Sequence, residues 1–133
     1  MNPEQPVPRR EDLADGSVRV YFAAPIPHGV EPKGFVTFRP PTAGEVLMHD
    51  DPKAYVYNAD GLGTPYTDRA ALWGWGQRLI EGHDLDVIGR ERDPALGMLI
   101  ADVILDFFLN ARKRLKPASA PSQTDSALAT SKQ

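Results

Sequence analysis

The stretch DPALGMLIADVILDFFLNARKRLKP, residues 93–117, decides how the rest of the chain folds. Asp93 stands where a helix N-cap stands, and Pro94 takes the first helical position, where its missing N–H costs nothing. From there Leu96, Leu99, Ile100, Val103, Ile104, Phe107, Phe108, Ala111 and Leu115 recur at three- and four-residue spacing. That period predicts one long helix with a continuous apolar stripe, each large side chain contributing roughly 1.5–3 kcal/mol when fully buried. Gly97, Asp102, Asp106 and Arg112 to Arg114 lie off the stripe. Arg112, Lys113, Arg114 and Lys116 complement the helix dipole at its C-terminal end, and Pro117 stops the helix. Asp102 and Asp106 interrupt the most apolar part, Ala95 to Leu109, which is also short of the ~20 residues a bilayer needs. The expectation is a core helix.

A stripe of this kind needs something to cover it. Upstream, Val18, Val20 and Phe22 alternate with Arg19 and Tyr21 between Gly16 and Pro25, the period of a half-buried strand. A second extended run, Phe35 to Arg39, ends at Pro40-Pro41, and the turn-forming segment PIPHGVEPKG lies between the two. These runs predict an antiparallel hairpin with a long, proline-stiffened connection. Alone it would be marginal in water, so its apolar face and the helix stripe cover one another. Thr42-Ala43-Gly44-Glu45 has the form of a capping box and opens a short helix to about Met48 that presents Val46 and Leu47, with Pro52 ending it. Residues 53–66 (KAYVYNADGLGTPY) read as a loop, with Tyr55-Val56-Tyr57 a small strand at most. Thr67 or Asp68 caps a second helix to about Glu81, with Gly82 at C′. Leu72, Trp73, Trp75, Leu79 and Ile80 are its candidates for burial. Trp73 and Trp75 cannot share one helix face, so one is expected in the core and the other at the surface.

The fold class expected is α+β: an N-terminal antiparallel β-hairpin packed on a small bundle of two to three helices. The chain of 133 residues suits a single domain, and its 41% hydrophobic and 25% charged content is that of an ordinary globular protein. Residues 1–15, with Pro3, Pro6, Pro8 and alternating charges, read as an unstructured arm, and residues 117–133 as an unstructured tail. Residues 16–116 form the domain. With no signal-type apolar run near the N-terminus, the expected location is the cytosol.

Little in the sequence points to catalysis, and no enzyme activity or cofactor is expected. The chain has no cysteine, which excludes a disulfide framework, a thiol nucleophile and a thiolate metal site. Ser17 is the sole serine in the predicted domain and has no base or orienting acid in sequence context. His49-Asp50-Asp51 lacks a second histidine at helical spacing and reads as solvated helix-end polarity. His83 with Asp84 and Asp86 reads as the cap of a helical turn leading to Val87 and Ile88. No phosphate-binding glycine motif is present. A formal charge of −3 argues against a nucleic-acid protein. The basic cluster Arg112 to Lys116 is the one contrary feature, and it holds open the alternative of a small nucleic-acid adaptor or regulator. A partner-binding surface is expected at Val46, Leu47 and Met48, at Tyr55 and Tyr57, and at Trp73 and Trp75, because exposed aromatic and apolar clusters are disproportionately interface residues.

The order of these features carries a resemblance. A first strand leading to Pro25-Ile26-Pro27, a second strand ending in FRPPT (38–42) and the directly following AGEVL (43–47) resemble the tail assembly chaperones of Mu-like and related contractile-tailed phages. The resemblance extends through LIEGHDLDV (79–87) to the long C-terminal helix, about residues 18–116. It implies a protein that binds the tape measure protein, whose long apolar helices would otherwise aggregate. It implies release as tail tube protein polymerises, residence in the host cell cytoplasm and absence from the finished particle. A longer frameshifted form of the chain is a further implied partner. No catalytic residues, metal or cofactor follow from it, and a minor structural tail protein is the alternative that the same resemblance leaves open.

Overall fold

In the computed structural model, which describes residues 6–115, the hairpin is larger than the sequence suggested and belongs to a four-stranded sheet. Chain order is β1 (Arg9–Asp12), β2 (Val18–His28), β3 (Glu31–Phe38), α1 (Ala43–Met48), β4 (Lys53–Tyr57), β5 (Gly63–Thr67), α2 (Arg69–Leu79), β6 (Ile80–Glu81), α3 (Leu85–Ile88) and α4 (Pro94–Leu115). The main sheet has the antiparallel order β1-β2-β3-β6, and β4 and β5 form a separate two-stranded hairpin. The architecture is α+β. The expected tail, residues 117–133, and residues 1–5 of the expected arm lie outside the described residues.

Alternation sets the sheet's inner face. Val18 pairs with Phe38 and Val20 with Val36, and all four are buried. The proline-rich segment forms no long connection; it is paired strand on both sides of a two-residue turn at Gly29-Val30, with Gly29 at φ 67°. In such a hairpin the flanking pair, His28 and Glu31, takes the hydrogen-bonded position, so the next pair, Pro27 opposite Pro32, falls at a non-hydrogen-bonded one. Neither proline then removes a ladder bond, which is why the breakers do not break the strand. The register slips between Tyr21 and Ile26, where four residues of β2, Phe22 to Pro25, face Gly34 alone.

The expected unstructured arm of residues 1–15 is corrected at Arg9–Asp12, which pair with Tyr21 to Val18 as β1. Polar contacts hold this charged edge strand. Arg10 donates to Asp106 on α4 at 2.7 Å, Tyr21 donates its hydroxyl proton to Glu11 at 2.8 Å, and the Arg9 guanidinium lies 4.0 Å over the Tyr21 ring. On the same solvent face Arg19 covers Phe35 at 4.5 Å.

The core is one cluster between the sheet's inner face and the helices. Val18, Val20, Phe22, Ile26, Val36 and Phe38 meet Leu72, Trp75 and Leu79 of α2, Leu85 and Ile88 of α3, and Leu96, Ile100, Val103, Ile104 and Phe108 of α4. The stripe read from α4 is thus buried from Leu96 to Phe108, with Leu99 and Phe107 partly so, while Leu115 at its end is exposed. As a 22-residue helix, α4 is long and apolar enough by composition to cross a membrane, with a mean hydropathy of 1.6 over its most apolar window. That holds by length and composition only, and the helix packs Leu96, Ile100, Val103, Ile104 and Phe108 into the core, as expected of a core helix. α2 ends at Leu79, earlier than expected, because Ile80 and Glu81 pair with Phe38 and Thr37 as β6; Gly82, at φ 82°, follows that strand and is not the helix C′.

Candidate functional site

Residues 39–49 form a unit that the core does not need. α1 buries none of its six residues. A helix this short has no stability of its own in water, so something other than packing must hold it. Thr42 accepts from the Glu45 amide at 3.2 Å and Glu45 accepts from the Thr42 amide at 2.9 Å, completing the capping box read from sequence. Glu45 then receives both arms of Arg39, at 2.9 and 2.7 Å, a bidentate pair. Arg39 also donates to the Arg78 carbonyl at the end of α2, at 3.1 Å. The Arg39 hydrogen bonds, seconded by the Thr42 amide, hold the Glu45 carboxyl far below its usual range, at about 2.

The consequence is display. Leu47 is 87% and Met48 79% exposed, with Val46 half-exposed beside them. Val46 also lines a cleft of about 370 Å³ with Pro40, Pro41, Phe107, Phe108 and Arg114, between the start of α1 and the C-terminal end of α4. Asp51, just beyond α1, is ion-paired with Arg112 of α4.

The segment read as a loop at 53–66 is the β4–β5 hairpin, with Tyr55 opposite Pro65 and Tyr57 opposite Gly63. It lacks a buried face: Tyr55, Val56, Tyr57, Leu62 and Tyr66 are all exposed. Its turn is closed by Asn58, whose side-chain oxygen accepts from the amides of Asp60 and Leu62. At the other end, Asp68 caps α2 through the Ala71 amide and donates its own N–H to the Pro52 carbonyl.

The two tryptophans separate as their spacing required. Trp75 is fully buried, edge-on to Phe108 at 5.0 Å and to His49 at 5.9 Å, and its indole N–H donates to the Asp50 carbonyl at 2.7 Å. As a partner-binding residue Trp75 is therefore corrected: it is core. Trp73, 44% exposed, stands apart from α1 at the lip of an apolar cleft of about 340 Å³ lined by Leu72, Ile88, Gly97, Ile100 and Ile104. Of the seven residues expected from sequence, Val46, Leu47, Met48, Tyr55, Tyr57 and Trp73 lie at the surface, and Trp73 is not part of the α1 unit. Tyr66, read with Tyr55 and Tyr57 as part of a sticky surface, is exposed as well, whereas sequence reasoning missed the two clefts, Val56, Leu62 and Arg39, the anchor of the display. The arginine's signal was its place six residues before Glu45.

The polar clusters weighed for chemistry have structural roles. His83 is buried, accepting from the Asp84 amide at Nδ1 (2.8 Å) and lying 3.2 Å through Nε2 from the Ile26 carbonyl, which fixes the Nε2–H tautomer. Asp84 caps α3 by accepting from the Asp86 amide. Among the described residues no group of three or more histidine or acidic side chains converges as a metal site would require. No protein-family model, no curated protein and no solved structure matches the chain.

Proposed function

We propose that this is a polypeptide-binding protein without catalytic chemistry of its own, working through the displayed face of α1 and the neighbouring cleft. More particularly, we read it as a tail assembly chaperone of a contractile-tailed phage or prophage. Its partner is the tape measure protein, held soluble in the host cytoplasm until tube protein polymerises around it. The observation that carries the reading is α1 itself. A six-residue helix with nothing buried is pinned by an ion pair, a capping box and a backbone contact, so that Leu47 and Met48 point to water. Exposed apolar residues held on a fixed frame suit a helix-in-groove contact, with Val46, Phe107 and Phe108 offering the adjoining recess. The same sequence, Phe38 to Leu47, is where the resemblance to the chaperones is most specific.

Co-expression tests it. The tape measure protein encoded beside this gene should be soluble with the chain and aggregate without it or with Leu47→Asp/Met48→Asp. Tape measure protein that is equally soluble alone refutes the reading. So does recovery of the chain from purified particles, which is the outcome for a structural tail component, or DNA binding at about 150 mM salt, the outcome for an adaptor acting through Arg112 to Lys116.

A further inference from the structure

The core uses one side of α4 and leaves three large apolar residues, set between charged ones, on the other. Leu96, Ile100, Val103, Ile104 and Phe108 face inward. On the opposite side Met98 is 69% and Leu109 50% exposed, and Leu105 between them is partly buried where it touches the core's edge, its remaining surface open. Only 28% of the helix's most apolar window is fully buried, with Leu99, Ala101 and Phe107 partly so. Met98, Asp102, Leu105, Leu109 and Arg112 form this outer line, spaced four, three, four and three residues apart. That spacing keeps all five on one helix face, the geometry that an a/d seam between two helices uses.

The charges on the seam identify its occupant. Turned end for end about residue 107, the line matches itself: Leu105 falls opposite Leu109, and Asp102 opposite Arg112. In an antiparallel pair each a position faces a d position, and these pairings obey that rule. A two-fold axis repeats every contact, giving two leucine layers flanked by two acid–base layers. Asp102 has no ion-pair partner among the described residues, and Arg112 commits one nitrogen to Asp51, leaving its other N–H donors for a second carboxylate. From this self-complementarity we infer that α4 is a homodimerisation surface, pairing antiparallel with α4 of a second copy. The surface is separate from the displayed residues of α1 and does not depend on the chaperone reading.

The register makes a charge-exchange test possible. Asp102→Arg and Arg112→Asp each bring like charges together at both flanking layers, so either variant alone should be monomeric, with its dimer dissociation constant raised at least tenfold. In a mixture of the two, the arginine introduced by Asp102→Arg falls opposite the aspartate introduced by Arg112→Asp. The native Arg112 of the first variant likewise falls opposite the native Asp102 of the second, so both layers are restored in a heterodimer. Sedimentation velocity of the full chain from about 5 to about 500 µM reads this, with circular dichroism confirming that each variant is folded. Arg112→Asp also removes the ion pair with Asp51, and the mixture does not restore it, so recovery there reports the seam. The inference is overturned by wild type that stays monomeric throughout, by single variants that dimerise as wild type does, or by a mixture that fails to recover. A monomer that pellets with phosphatidylglycerol vesicles overturns it too, in favour of a lipid-facing helix. Monomeric wild type that still solubilises the tape measure protein would remove the dimer and leave the proposed function standing.

Discussion

Replacing Glu45 by glutamine isolates the device that holds α1 in place. Glutamine still accepts from the Thr42 amide, so the cap survives while the charge that Arg39 grips is lost. The displacement of the Glu45 carboxyl from 4.5 to about 2 would, fully expressed, correspond to roughly 3 kcal/mol. The pair is partly solvated, with 22% of the Glu45 and 30% of the Arg39 side chain exposed, and exposed ion pairs are worth well under that. About 1–1.5 kcal/mol is the discounted figure, equivalent to a roughly 5- to 12-fold rise in the open population of α1. The opening is local, since α1 contributes nothing to the core. Hydrogen exchange should show lower protection at the Val46 and His49 amides, which bond Thr42 and Glu45 carbonyls, and unchanged protection in β2, β3 and α4. The sign with pH follows from a folded-state value below the unfolded one: the contribution is complete above about 4.5 and disappears as pH falls toward about 2. Wild-type protection factors of α1 should therefore decline across that acid range, and those of Glu45→Gln should start low and stay flat. Equal protection in both proteins, or a wild-type profile without the acid decline, refutes the idea that this pair pins the helix.

The two tryptophans should behave oppositely. Trp75→Ala empties a fully buried site and loses the Asp50 bond, costing about 3–5 kcal/mol and most of the domain's stability, whereas Trp73→Ala should cost under about 1 kcal/mol, both by chemical denaturation. A pull-down defect in Trp75→Ala would thus report unfolding. Gly76→Ala should destabilise by about 1–3 kcal/mol in the same assay although alanine is the better helix former, because a Cβ there meets Leu85 Cδ2 at 2.8 Å and Ile104 Cδ1 at 3.3 Å. A stabilised Gly76→Ala would show that α3 and α4 lie less tightly against α2 than these distances require.

The parts of the fold legible in sequence are those where one local rule acts alone. Asp93-Pro94 opens α4 and its periodic stripe is the core, Thr42 and Glu45 form the capping box, and Val18, Val20 and Phe22 alternate as strand. The misread parts needed tertiary information. β1 is four charged residues with no alternation, stabilised by Asp106, ninety-six positions away from Arg10. The β4–β5 hairpin buries no face, so it has no hydrophobic pattern, and Pro65 looks like a breaker until its edge position is known. Pro27 and Pro32 misled for a related reason: their harmlessness depends on register, which one strand's sequence does not carry. For the site, residue type was enough to nominate Leu47, Met48, Tyr55 and Tyr57. The choice between Trp73 and Trp75 required knowing that Phe108 and the Asp50 carbonyl occupy the side of α2 that Trp75 faces.

Capture of an apolar helix by the face that α1 displays is the central event of the proposed function, and a titration measures that event itself. A fluorescently labelled helical segment of the tape measure protein should bind the wild-type chain saturably. Leu47→Asp/Met48→Asp, changing two side chains that contribute no burial, should weaken that binding at least tenfold while the melting temperature stays within about 2 °C. Absence of binding to the wild-type chain, or equal affinity in a folded double variant, would contradict the account.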